Sequence, residues 1–290
     1  VSYAGWILLT GALVGISCGL TGVLLILRKM AMMADAISHT VLLGIVAAYL
    51  VSSSLDGGSM LIGAMLAGLL TAWLVQWFES SGINTDAAIG VVFTTLFSIG
   101  VILISTSVGN VHLDVNHALM GEISFIPWNV IELPLIGPVP SATLLLLIVT
   151  IIVALVILLF FKEWKITTFD PALAASLGFP VLLMHYVFMT LVSVTTVAAF
   201  DAVGAIMVVA MLITPAASAN LWTDRLSHMF LLSALFGVAS SSMGYVVAIW
   251  LNTSISGSMA FSTGLIFLIS YFFAPKHGQI AKRVYKTNEI

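Results

Sequence analysis

The sequence predicts an all-α integral membrane protein, a polytopic bundle of about eight to nine transmembrane helices. Three observations lead there. Of the 290 residues, 61% are hydrophobic and only 7% are charged, against about 25% charged in an ordinary soluble domain. The apolar residues fall in runs of about 20, the length needed to cross the hydrocarbon core. Every basic residue lies between these runs, and always in alternate connections. Nine basic and twelve acidic side chains cannot cover a soluble surface, which excludes soluble globular and disordered chains. The net charge of −3 excludes the basic patch that nucleic acid requires. A membrane barrel would instead show alternating polarity over segments of about ten residues.

The runs cover roughly 5–27, 31–52, 59–78, 87–108, 142–161, 181–199, 203–219, 226–250 and 257–274. In the first, Gly11, Gly15 and Gly19 recur every four positions, the pattern of close helix–helix packing. Cys18 in the same run is a lone thiol. It forms neither an intrachain disulfide nor a Cys-based zinc site, and reads as a small buried hydrophobe. That run is too long for a cleavable signal peptide, and basic residues follow it rather than precede it. The seventh run is short, contains Pro215 and joins the sixth by a short link around Asp201, so irregularity is expected over 199–220.

With the amino terminus outside and the carboxyl terminus inside, the inner segments hold Arg28 and Lys29, then Lys162 and Lys165, then Arg225, then Lys276, Lys282, Arg283 and Lys286. These are all nine basic residues, as the positive-inside rule requires. Reading 181–219 as one broken crossing would move Arg225 and the tail outside. The longest outer connection, Thr106–Ser141, carries Pro127, Pro134, Pro138 and Pro140. It is too apolar for a flexible linker and is expected to pack on the membrane face or re-enter. No second domain, low-complexity tract or internal repeat appears, so 1–290 reads as one transmembrane domain.

Charge inside a span costs at least about 2.5–3.5 kcal/mol at mid-helix, so an intramembrane ionisable residue reads as functional by default. The clearest case is Asp35 and His39. Four residues apart, they share one helix face, bordered by Ser38. A carboxylate oxygen with an imidazole nitrogen suits Mn²⁺, Zn²⁺ or Fe²⁺. Two ligands do not saturate such an ion, and a two-fold related copy would supply two more. An Asp–His pair that only holds helices together, or a proton relay, fits the spacing equally. A second cluster, His112, Asp114 and His117 with Glu122 after it, falls on the outer side. It suits cation capture, or a loop that faces water. Asp201 is either an entrance residue or a turn residue. His185, His228 and His277 read as isolated histidines. Met30, Met32, Met33, Met207 and Met211 read as packing residues, with ion contact as the alternative.

The inner loop Phe161–Pro180 is punctuated like a short helix of about 171–177. Thr168 or Asp170 suits its cap, Pro171 its first turn and Gly178 its end. Such a helix offers a second subunit a grip on the membrane helices. The chain has no GxxxxGK[ST] phosphate loop and no hydrolytic constellation, so it reads as a path without its own engine, not an enzyme.

Several stretches carry a resemblance: MADAISHTVLLGIVAAYL at 33–50, DAAIGVVFTTLFSIGVILIS at 86–105, HLDVNHALMGEISF at 112–125, ITTFDPALAASLGF at 166–179, VGAIMVVAMLITPAASA at 203–219 and FFAPK at 272–276. In these the chain resembles the permease subunit of bacterial ABC importers for manganese, zinc or iron. The resemblance covers nearly the whole chain. It implies the type II importer permease fold, shared with vitamin B12 and siderophore permeases, in the bacterial cytoplasmic membrane. It implies a second permease, identical or paralogous, two cytoplasmic ATP-binding subunits and an extracytoplasmic metal-binding lipoprotein. The metal is cargo, and no permanently bound cofactor is implied. Asp35 and His39 match the family's metal pair. Phe169, Asp170, Pro171, Leu173, Ala174 and Gly178 match its coupling helix near 170–178. The HLDVNH and GEI stretch favours Mn²⁺ over Zn²⁺ or Fe²⁺. One departure is Leu43 before Gly44, where many relatives carry proline; it affects local helix shape only. The expected path runs from an outer mouth near Asp114, His117 and Asp201 to the Asp35/His39 pairs. Ligation needs neutral imidazole, so uptake is expected to weaken as His39 protonates. The rival classes are a proton-coupled secondary metal carrier and a type II permease for a chelated metal.

Overall fold

The structure, a computed structural model, describes residues 2–52, 57–107, 123–133 and 137–280. Among them, nine helices are long and apolar enough to cross a membrane, matching the predicted runs. They are α1 (Tyr3–Leu27), α2 (Met32–Ser52), α3 (Gly57–Ser80), α4 (Thr85–Ser107), α5 (Ser141–Leu159), α8 (Val181–Val203), α9 (Ala205–Trp222), α10 (Leu226–Leu251) and α11 (Ile255–Phe273). Two short helices, α6 (Phe161–Phe169) and α7 (Pro171–Ser176), lie between α5 and α8.

Helix α1 is the central post. Its apolar span is 72% buried, against 28% for α4 at the periphery. The small residues explain the difference. A Cβ added at Gly15 would stand 2.6 Å from the carbonyl carbon of Gly237, so the α1 and α10 backbones touch there. Serines then tie the crossing. Ser233 Oγ donates to Gly19 O at 2.8 Å and Ser241 Oγ to Gly11 O at 2.7 Å. Without water, such bonds and close contacts replace the hydrophobic drive between helices. A second close approach joins α2 and α3, where Gly44 meets Gly63. Lower on the same pair, Thr71 Oγ1 donates to Thr40 Oγ1 at 2.8 Å.

At Gly22 a Cβ would run into the carbonyl oxygen of Leu212, whereas Gly90 has open space around it. Gly22→Ala is therefore expected to destabilise the bundle by about 1–3 kcal/mol through overpacking. Gly90→Ala should be neutral or slightly stabilising, since alanine is the better helix former. Thermal unfolding of both variants in detergent checks this.

The irregularity expected over 199–220 is confined to one point. The α8–α9 break is a single residue, Gly204, at φ 80°, and α9 runs through Pro215 to Trp222. Residues 161–169, expected as loop, form helix α6, because Trp164 and Thr167, three apart, give it a buried face. In the described part of the outer connection, a short 3-10 helix (Ile123–Trp128) precedes a two-stranded antiparallel hairpin, β1 (Val130–Leu133) and β2 (Gly137–Pro140), with Val130 opposite Pro140. The 3-10 helix buries Ile123 and Ile126 over the ends of α1 and α5, and Tyr3 Oη donates to Ser124 O at 2.6 Å. That part packs on the bundle rather than re-entering it.

Candidate metal site and docking helix

Asp35 and His39 lie in the first two turns of α2, on one face as their spacing requires. Asp35 Oδ1 and His39 Nε2 are 3.5 Å apart, and the side chains remain 41% and 33% exposed. Two donors on a tetrahedral metal with bonds of about 2.1 Å stand about 3.4 Å apart, so the pair needs almost no rearrangement to share an ion. Its wall comes from α4. The imidazole lies 5.2 Å from the Phe93 ring and 5.7 Å, edge to face, from the Phe97 ring. Ser38 is buried and its hydroxyl donates to Ala34 O at 2.9 Å, which turns it away from the pair. Among the described residues no cluster of three or more His, Cys, Asp or Glu side chains forms. Among the described residues the exposed pair therefore stands with two donors and no third acidic, histidine or cysteine group beside it.

His112, Asp114 and His117 lie outside the described residues. Asp201 is exposed in the last turn of α8, not in the inter-helix link; the glycine three residues on makes the break instead. Of the five methionines named above, Met30, Met33, Met207 and Met211 are buried in the core and Met32 is exposed, which is packing for four of them. His277 is not isolated. Its Nε2 lies 2.8 Å from Asp224 Oδ1, and Lys276 pairs with the same carboxylate. The His277 and Lys276 hydrogen bonds together hold Asp224 below the usual carboxylate range. A depressed acid stabilises above its ordinary pKa of about 4 and loses that contribution as pH falls through its folded value. The contact therefore fastens the segment after α11 to the α9–α10 link at neutral pH.

The inner arm is built as its punctuation suggests. Asp170 Oδ1 accepts the Leu173 N–H at 2.9 Å, and Pro171 opens α7. At the other end Gly178 adopts φ 84°, the left-handed region where glycine is unstrained. The Gly178 N–H donates to Ala175 O and the Phe179 N–H to Ala174 O, at 3.1 and 3.0 Å, a Schellman closure. Ala174 is fully buried, while Phe169, Leu173 and Leu177 are 57%, 47% and 60% exposed. Leu173 and Leu177, one turn apart, lie on one face at the α7 end, and Phe169 closes α6 just before the Asp170 break.

The fold and site together define a class: a polytopic helical membrane protein with an Asp/His pair in the first two turns of α2 and a short capped helix that carries exposed apolar side chains. The chain belongs to the ABC 3 transport family, which it matches over residues 2–274. It is 56% identical over 288 residues to the manganese transport system membrane protein MntD of Bacillus subtilis, covering 99% of this chain and 98% of that one. To the zinc transport system membrane protein TroD of Treponema pallidum it is 41% identical, covering 95% and 75%. Among solved structures, PsaBC from Streptococcus pneumoniae in complex with Fab contains a chain with TM-score 0.80 and 34% identity, covering 99% of this chain and 96% of that one.

Sequence reasoning missed the aromatic wall. Its signal was the FTTLF stretch, in which Phe93 and Phe97 stand four apart on one face. It also missed the contacts of Arg28, Asp224 and His277, which join residues far apart in the chain.

Proposed function

We propose that this chain is the permease subunit of an ATP-driven importer that moves a divalent transition-metal ion, Mn²⁺ in preference to Zn²⁺ or Fe²⁺, into the bacterial cytoplasm. The observation that carries the reading is the half-exposed Asp35/His39 pair at metal-sharing distance. The likeness to a manganese transport protein over almost the full chain supports the cargo. A second permease, identical or paralogous, faces the pair and completes a four-donor site on the two-fold axis. A metal-binding lipoprotein delivers the ion to an outer mouth near His112, Asp114, His117 and Asp201. Two ATP-binding subunits grip the Phe169–Gly178 segment on the inner side, and their closure opens the path inward. The amino terminus lies outside and the carboxyl terminus inside.

The test is uptake by lipid vesicles containing the permease and its cognate ATPase. Mn²⁺ entry that needs ATP and survives a protonophore is expected. Entry without ATP that collapses with the protonophore would make the chain a proton-coupled carrier and overturn the reading.

A further inference from the structure

The turn between α1 and α2 carries a cation that metal ligation does not use. Arg28 is half-buried, yet among the described residues no carboxylate lies within ion-pair distance of it. Its guanidinium carbon instead stands 4.9 Å from the Phe188 ring centroid and 5.8 Å from that of Trp164. Nε donates to Thr168 Oγ1 and Nη2 to Thr167 Oγ1, both at 3.4 Å. Trp164 and Phe188 are fully buried and meet edge to face at 6.4 Å. Burial pulls the Arg28 pKa down to about 10, so the group stays charged at neutral pH. Aromatic faces attract a desolvated cation without fixing it in one ion-pair geometry. Only a planar guanidinium serves two rings and two hydroxyls at once.

The placement of these partners matters. Trp164, Thr167 and Thr168 belong to α6 and Phe188 to α8, the two helices on which docking helix α7 mainly rests. The Arg28 backbone is fixed to the other side of the junction. Its N–H donates to Leu24 O at 3.0 Å, and the Met30 N–H donates to Leu25 O at 2.9 Å. Lys29 between them takes a left-handed φ of 57°, a conformation uncommon outside glycine. Helix α2 starts at Met32, and Asp35 is in its first turn.

We propose that Arg28 is a positioning residue that ties the docking arm to the helix bearing Asp35 and His39. A displacement of α7 moves the α6–α8 corner, the corner carries the guanidinium, and the tight turn passes the motion to the start of α2. The inference rests on the transport function proposed above and adds the route by which ATP binding reaches the site.

The experiment compares the wild type, Arg28→Gln and Arg28→Lys, each with its ATPase in lipid vesicles, measuring Mn²⁺ uptake and phosphate release together. For Arg28→Gln, assembly and hydrolysis should persist while Mn²⁺ moved per ATP falls roughly two- to thirty-fold, the span of losses along coupling networks. Arg28→Lys should be intermediate. An unchanged ratio overturns the proposal, as does parallel loss of assembly, hydrolysis and uptake in both variants, which would make Arg28 a folding residue only. If Arg28→Gln alone fails to assemble, a lowered ratio in Arg28→Lys supports the proposal and a wild-type ratio overturns it. A second readout does not depend on cargo. Labels placed at exposed Ser176 on α7 and Met32 on α2 should keep their separation on ATP binding in the wild type, because the two ends move together, and change it in Arg28→Gln; equal behaviour of the two proteins overturns the proposal. If the wild type moves no Mn²⁺, the cargo assignment falls, while the label distances still decide the role of Arg28.

Discussion

Replacing His39 or Asp35 by alanine should reduce metal uptake to background while the permease still inserts and assembles. Both halves of that result follow from the geometry. Asp35 and His39 face each other at 3.5 Å and remain accessible. If the pair binds the ion, each supplies one donor, and among the described residues no third acidic, histidine or cysteine group joins them. In a two-fold assembly one substitution removes two of four donors, and the path then holds no charge-compensated stop for a dehydrated divalent ion. The fold depends little on either side chain. The imidazole's ring contacts to Phe93 and Phe97 account for about 0.5–1.5 kcal/mol each at most. The bundle is held elsewhere, by glycine contacts and serine bonds along α1. Normal uptake by either variant would remove the pair from the path. Size-exclusion behaviour in detergent, measured beside uptake, separates loss of function from loss of fold.

A charge placed on the docking helix should have an effect as large by a different route. Leu173 is 47% exposed on α7, with exposed Leu177 one turn on. Leu173→Arg leaves the buried Ala174 contact and both helix caps in place, so the arm keeps its shape. It would place a guanidinium where an apolar partner surface closes, and a desolvated, unpaired charge is among the most costly errors an interface can carry. The ATPase should no longer co-purify, and uptake should stop with it. Asp170→Arg should weaken docking further, because it also removes the cap to the Leu173 N–H, a loss of about 0.5–2 kcal/mol. Full recovery of the ATPase with both variants would mean that the Phe169–Gly178 segment is not the grip.

The spans were legible because in a bilayer each must be long, apolar and self-satisfied in its hydrogen bonds. The count and the glycine spacing on α1 came through for that reason, and the α7 punctuation because cap, proline and glycine each have one local role. That Asp35 and His39 meet on one face was legible from their four-residue spacing. What remained hidden was tertiary. Helix α6 carries Lys162, Glu163 and Lys165 within nine residues, so its composition reads as a loop. Its helical state depends on Trp164 packing against Phe188 and Arg28. The role of His277 depends on Asp224, 53 residues away in sequence. Asp201 was misplaced because a short polar link and the last turn of a helix look alike until Gly204 is seen to make the break.

The most direct test is the metal content of bacterial cells whose divalent-metal uptake depends on this chain, measured with the intact protein and with His39→Ala, under limiting manganese and separately under limiting zinc. A selective loss of manganese in the variant, with zinc unchanged, is expected. Loss of zinc alone would keep the architecture and the site but overturn the cargo. No change in either metal would contradict the central claim and make the Asp35/His39 pair a structural contact.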